Sequence, residues 1–229
     1  MPTESPFSMD LFHFLDDLSR HNDREWFQEN KLRYEQVVRE PALEFIDQLA
    51  GPLNRSAPML KAVAKRAGGS LMRIHRDTRF SRDKTPYKTN VGISLRHEAD
   101  GDIHAPGVYI HLACDECFVG AGCWRPQRET LAAIRRAIDE HPSAWKKARD
   151  QKSFRRSYEF AGESLKTSPR DYSKDHPMID DLRRIDYIGV ANLTPQDFIA
   201  PDVVKRVVQL IRDAKPLMTF LCDAIDVPY

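Results

Sequence analysis

Long apolar runs are missing from this 229-residue chain, and nothing in it approaches the ~20 residues that a membrane-spanning helix requires. The opening stretch, MPTESPFSMDLF, has no basic segment followed by an apolar one, so no signal peptide is expected and the chain reads as a cytoplasmic protein. Glycine is scarce, at 10 residues against 15 prolines, which excludes a collagen-like chain. With only 4 cysteines and a cytosolic reading, disulfides are not expected. GxGxxG, Walker A, GxSxG and HExxH patterns are all absent, so no cofactor is expected and no familiar catalytic chemistry is signalled. A dominant charge of one sign is lacking too: 35 basic residues meet 34 acidic ones.

The balanced total hides a concentrated field. Residues 1–60 carry a net charge of −5, residues 61–96 carry +8, and the remainder carries −2. The middle stretch holds ten cations, with only Asp77 and Asp83 to offset them. Such a field attracts anions or an acidic surface. It could also dock on the chain's own acidic N-terminal helices.

Periodicity predicts helices, then strands, then helices, the order of an α+β fold in a single domain over 1–229. The N-terminal helical segment spans 8–52. Ser8 caps a helix whose apolar stripe is Leu11, Phe14, Leu15 and Leu18. Asn22–Asp23 opens a second, with Tyr34, Val37, Val38, Phe45, Ile46 and Leu49 continuing to Ala50. Pro41 must kink it or start a new helix, and Gly51–Pro52 ends it.

The central sheet spans 70–125. Period-2 alternation predicts neighbouring antiparallel strands at Leu71–Phe80, Val91–Arg96, Gly107–Ala113 and Cys117–Trp124. The C-terminal helical segment spans 126–225. It has Pro126 at a helix start, one stripe of Leu131, Ile134 and Ile138, and a second of Val203, Val207, Leu210 and Ile211 interrupted at Pro216. The polar stretch 151–175 reads as a long surface loop.

One dense polar cluster carries the functional reading: Arg73, Arg76, Asp77, Arg79, Asp83, Lys84 and Tyr87. On a strand, Arg73, Asp77 and Arg79 would share a face, with His75 between them, while Arg76 would point away toward an acidic helix residue. Asp77 can hold an arginine fork and leave guanidinium donors free for a carboxylate or phosphate. Two aspartates do not neutralise so many cations, which leaves room for an anion. A structural salt-bridge lattice is the competing reading.

His111, Cys114, Cys117 and Cys123 supply four possible zinc ligands within 13 residues, but the second half of a zinc site does not follow, so no metal is expected. A metal-dependent nuclease built on Asp77 and Asp83 is disfavoured, because neighbouring arginines compete for both carboxylates.

The segment Arg73 to Tyr87, R-x-x-R-D-x-R-F-x-x-D-K-x-x-Y, resembles the signature of the bacterial domain-of-unknown-function family 2461. Asn22–Phe27 with Asn30, Lys31 and Tyr34 is similar to that family's N-terminal part. Gly107–Leu112 and Gly120–Pro126 resemble its middle, and Leu165–Lys166, Pro169–Tyr172 and Asp175–Pro177 its later part. The resemblance implies a protein of about this length with no assigned activity. The expected function is binding of an anionic small molecule, phosphate- or carboxylate-bearing, at the Arg/Asp/Lys/Tyr cluster, with catalysis left open and no catalytic residue assigned. The alternative is a non-catalytic module whose basic face binds an acidic protein or, less favoured, a nucleic-acid backbone. No membrane partner is expected, and the sequence does not give an oligomeric state.

Overall fold

The computed structural model describes residues 4–99 and 105–229, and its architecture is α+β. Helix α1 (Met9–Arg20) starts where Ser8 accepts the Asp10 N–H, and it buries Leu11, Phe14, Leu15 and Leu18 as their spacing predicts. Asp23 caps α2 (Arg24–Glu29) by accepting the Trp26 N–H at 2.9 Å. Next come α3 (Lys31–Tyr34), a π-helical turn (Glu35–Arg39) and α4 (Glu40–Ser56). The irregularity expected of Pro41 thus appears as a π turn directly ahead of it, which loosens the ladder where the proline ring would clash. Gly51–Pro52 does not end the helix. Pro52 lies inside α4, because the next turn still has Leu53 to bury completely.

Among the described residues six strands form one antiparallel sheet in the order β1-β2-β3-β4-β6-β5. They are β1 (Leu60–Lys61), β2 (Val91–His97), β3 (Gly107–Leu112), β4 (Cys117–Cys123), β5 (Glu159–Ala161) and β6 (Tyr187–Leu193). Three of the four strands predicted from the alternation are present and adjacent. The fourth, Leu71–Phe80, is not a strand. Only its beginning touches the sheet, where the Met72 N–H donates to the Gly92 carbonyl at 2.9 Å and Leu71 bridges Ile93. The predicted loop over 151–175 is also partly ordered, since it contains α7 (Lys152–Ser157) and β5. Phe154 is the reason: it is fully buried, with its ring lying where a side chain on Gly189 would otherwise sit.

Between β4 and β5 come α5 (Arg128–Glu140), α6 (Pro142–Arg149) and α7; α8 (Ile179–Leu182) precedes β6. The chain closes with α9 (Pro195–Ile199), α10 (Val203–Asp213) and α11 (Lys215–Ala224). No helix among the described residues is long and apolar enough to cross a membrane. Helices α10 and α11 pack on β4, and the buried alternating set Val108, Ile110, Leu112, Val119, Ala121 and Ala191 faces this helical layer. The other alternating set, with Tyr109, His111, Phe118, Gly120, Ile188 and Val190, is half-buried and lines an open cavity.

Candidate functional site

The segment that carries the polar cluster is a looped excursion. Its neck is closed by the Arg76 N–H donating to the Pro86 carbonyl at 2.9 Å and the Lys88 N–H donating to the Ile74 carbonyl at 2.8 Å. Ile74 and Tyr87 anchor the neck in the core, and the Tyr87 ring stacks on Phe27 with centroids 4.1 Å apart. The tip projects into solvent, with Phe80 96% exposed. The alternation at Leu71–Phe80 therefore does not describe a strand: of Met72, Ile74, Thr78 and Phe80, only Ile74 is buried.

Losing the strand changes which residues share a face. Asp77 holds Arg79 in a bidentate pair, with Nε and Nη2 at 2.9 and 2.7 Å, on the exposed surface. Hydrogen bonds from the Arg79 side chain and backbone hold the Asp77 carboxyl well below the usual carboxylate range. Asp83 accepts from Arg76 and from both the N–H and the hydroxyl of Thr85. These bonds, led by the Thr85 N–H and then Arg76, lower its pKa to about 2. Lys84 Nζ donates to the Thr78 carbonyl at 2.8 Å, which ties the loop to itself. Arg73 is exposed and acts through its charge on Asp77 and Lys88.

A cleft of about 890 Å³ between this loop and the start of α2 is lined by Arg76, Lys84 and Tyr87, together with Arg24, His75 and Asp23. Arg73, Asp77, Arg79 and Asp83 are not part of its lining. The expected grouping is therefore reversed: Arg76 lies in the cleft, Arg73, Asp77 and Arg79 lie outside it, and the partner of Arg76 is Asp83 of its own loop rather than a helix carboxylate. Docking of the basic stretch on the acidic helices is seen at Arg66, which pairs with Glu40 and, at 3.7 Å, with Glu35.

The second cavity, about 950 Å³, lies on the open face of the sheet. The β3–β4 register sets Tyr109 opposite Gly120 and His111 opposite Phe118, so large side chains of β3 overhang a floor kept low by glycine. The His111 and Phe118 rings stack at 4.9 Å and 7°. Tyr109 Oη lies 3.2 Å from His111 Nδ1, and Asn90 Nδ2 lies 3.4 Å from each. An amide N–H can only donate, so Asn90 to Tyr109 and Tyr109 to His111 makes a consistent chain, with the imidazole proton on Nε2. Burial lowers the His111 pKa, which favours this neutral form, and burial raises that of Tyr109. Such a pair can pass a proton between a phenol and an imidazole.

Lys88, Arg96 and Arg125 supply the fixed positive charges of the lining, and none of its described residues is a carboxylate. Exposed Trp124 stands at the rim with the Arg125 guanidinium 5.0 Å from its ring centroid.

Sequence reasoning singled out only His111 among these, and as a possible zinc ligand rather than for this site. Their signal was present as the polar partners of the β3 alternation and in the segments Gly107–Leu112 and Gly120–Pro126, which carry the family resemblance. The zinc candidates do not converge. Cys117 pairs across from Leu112 and is buried on the helical side, whereas His111 faces the open cavity. No group of three metal-type ligands occurs among the described residues.

The family model described as Conserved hypothetical protein (DUF2461) matches residues 10–220. No curated protein and no solved structure matches the chain.

Proposed function

We propose that this chain, which belongs to the DUF2461 family, binds a planar anionic small molecule on the open face of its sheet. One observation carries this reading: the cavity lining combines Lys88 and Arg125 with aromatic and glycine surface and, among its described residues, contains no carboxylate. Lys88 is half-buried, and a cation drawn partly out of water is costly unless an anion joins it. Flat apolar surface on Phe118 and Trp124 offers stacking area, and the Arg125 guanidinium can reach a carboxylate or phosphate with a planar fork.

The cleft beside the loop is a weaker place for the same chemistry. Its Arg76 is already satisfied by Asp83 and Thr85, and Asp23 brings a negative charge into the lining. The cluster of Asp77, Arg79, Asp83 and Arg76 acts instead as the loop's internal framework.

The test is a thermal-shift and calorimetric series on the wild type with nucleoside monophosphates and aromatic carboxylates, each beside its neutral analogue. Anions should give saturable stabilisation that Lys88→Ala and Arg125→Ala reduce. Equal shifts from neutral analogues, or undiminished binding in both variants, would overturn the reading. Binding only to oligonucleotides, with a steep loss in salt, would favour the interaction-module alternative instead.

A further inference from the structure

We infer that Lys88 is a nucleophilic lysine that condenses reversibly with the carbonyl group of a planar anionic aldehyde or ketone held on the open sheet face. The inference rests on the ligand reading above and adds to it a reactive atom and a substrate class.

The backbone that carries Lys88 is held in place. The Tyr87 backbone is clamped on both sides by the Asn22 amide, at 3.0 Å each way, and its ring is buried against Phe27. The Lys88 N–H is bonded to Ile74. With Tyr87 turned into the core, the next side chain turns to the other side of the neck, and Lys88 lines the sheet cavity half-buried. Asn90, two residues on, lines the same cavity.

Its electrostatic surroundings shift it toward the free amine. The charged neighbour that acts on Lys88 is the Arg73 guanidinium. Burial, and then repulsion by Arg73, lower its pKa from the ordinary lysine value. Desolvation beside a second cation is the arrangement that activates an amine as a nucleophile.

The same cavity holds what the condensation needs. The Lys88 Nζ lone pair attacks the carbonyl carbon, and a proton lost from nitrogen is balanced by one gained on oxygen. The resulting carbinolamine then expels that oxygen as water, leaving a C=N bond, so amine plus carbonyl gives imine plus water with no change of oxidation state. Loss of water needs an acid, and the Tyr109 hydroxyl hydrogen-bonded to His111 can supply and recover that proton. Arg125 at the rim is placed to take the ligand's anionic group. A lysine present only to cover apolar surface with its stem would have no need of these groups.

The test uses pyridoxal 5′-phosphate as a probe, because it is planar, anionic and an aldehyde, together with its alcohol analogue pyridoxine 5′-phosphate. The full chain is incubated with about one equivalent of aldehyde, reduced with borohydride and mapped by peptide mass spectrometry. Lys88 should be labelled roughly tenfold ahead of the exposed lysines. Lys88→Arg should abolish the adduct while still binding the alcohol analogue, and Tyr109→Phe should slow adduct formation by roughly a hundredfold with binding retained. Labelling spread evenly over the lysines, with the alcohol analogue still bound in a manner sensitive to Arg125→Ala, would overturn the nucleophile and leave the ligand site standing. If neither probe binds on the sheet face, the ligand reading fails and the inference with it. Melting curves of each variant separate these outcomes from misfolding.

Discussion

The buried carboxylate of Asp186 accepts the backbone N–H of Arg125 through Oδ1 at 2.7 Å. Its Oδ2 accepts the Glu163 N–H at 2.8 Å. One side chain next to β6 thereby fixes both the residue after Trp124 and the turn that follows β5. Arg125 has φ of 47°, a left-handed conformation that costs energy in a non-glycine residue and persists only when held. Asp186 therefore positions the cationic rim of the sheet cavity without lining it.

Replacing Asp186 with alanine should cost about 2–5 kcal/mol, because two charge-assisted hydrogen bonds are lost and both N–H groups are left without a partner. Urea unfolding measures this directly. Asp186→Asn retains one carbonyl acceptor for two donors and should fall between alanine and the wild type. An Asp186→Ala protein as stable as the wild type would mean that the turn holds itself.

Two glycines of β4 should respond in opposite ways. Gly122 has φ of 131°, and a Cβ there would lie 2.1 Å from the main-chain oxygen of Tyr187, so neither atom can move without breaking the β4–β6 pairing. Gly122→Ala should lose ~3 kcal/mol or more. At Gly120 the nearest atom to an added Cβ is the Phe118 ring at 3.7 Å, an ordinary contact. Gly120→Ala should keep the wild-type melting temperature and weaken binding of planar anions by raising the cavity floor. If it binds as the wild type does, the ligand does not reach the floor.

Helix α1 and strands β2 to β4 were legible because each carries its own signal: Ser8 ahead of a four-residue apolar stripe, and Val108, Ile110 and Leu112 alternating with polar neighbours. The segment 71–80 shows the limit of that logic. Alternation identifies a strand only if a partner strand is available, and here the outer edge of β2 is occupied by β1 and by the first residues of the segment itself. Strand β6 escaped notice because it has Gly189 where a large residue would complete the pattern, and that gap is filled by Phe154 from far away in sequence. The sheet cavity depends on the register that sets Tyr109 across from Gly120, which no local pattern reveals. The charge cluster was visible as composition, but its pairing was not, since pairing depends on how the loop turns back on itself.

The loop framework predicts an acid response. Asp83 titrates at about 2 in the folded loop, below its ordinary value of 3.8, so its contribution is fully present above pH 4 and lost as the pH falls toward 2. Carboxyl NMR shifts should place the midpoint near 2, and Thr85→Val should move it upward by removing one donor. Asp77→Ala, by contrast, removes a solvent-exposed pair and should leave the melting temperature unchanged. A large loss of stability in Asp77→Ala would show that the loop supports the core rather than only itself.

Asn22 offers the sharpest test of how the loop neck is built. Its side-chain amide copies a strand neighbour, with Oδ1 accepting the Tyr87 N–H and Nδ2 donating to the Tyr87 carbonyl, both at 3.0 Å and across 65 residues of sequence. No aliphatic residue can do this, and aspartate can do only half, since it accepts but does not donate. Asn22→Ala should cost about 1–3 kcal/mol, because it leaves two backbone groups of a buried residue unsatisfied. Amide exchange at Tyr87 should accelerate while exchange in β3 stays at its wild-type rate, which separates local loosening from global instability. Lys88 is the next residue, so the same variant should label more slowly with the aldehyde probe although no group in the cavity has been altered. Exchange at Tyr87 that stays at the wild-type rate would mean that stacking on Phe27 alone holds the neck and that the Asn22 amide adds nothing to it.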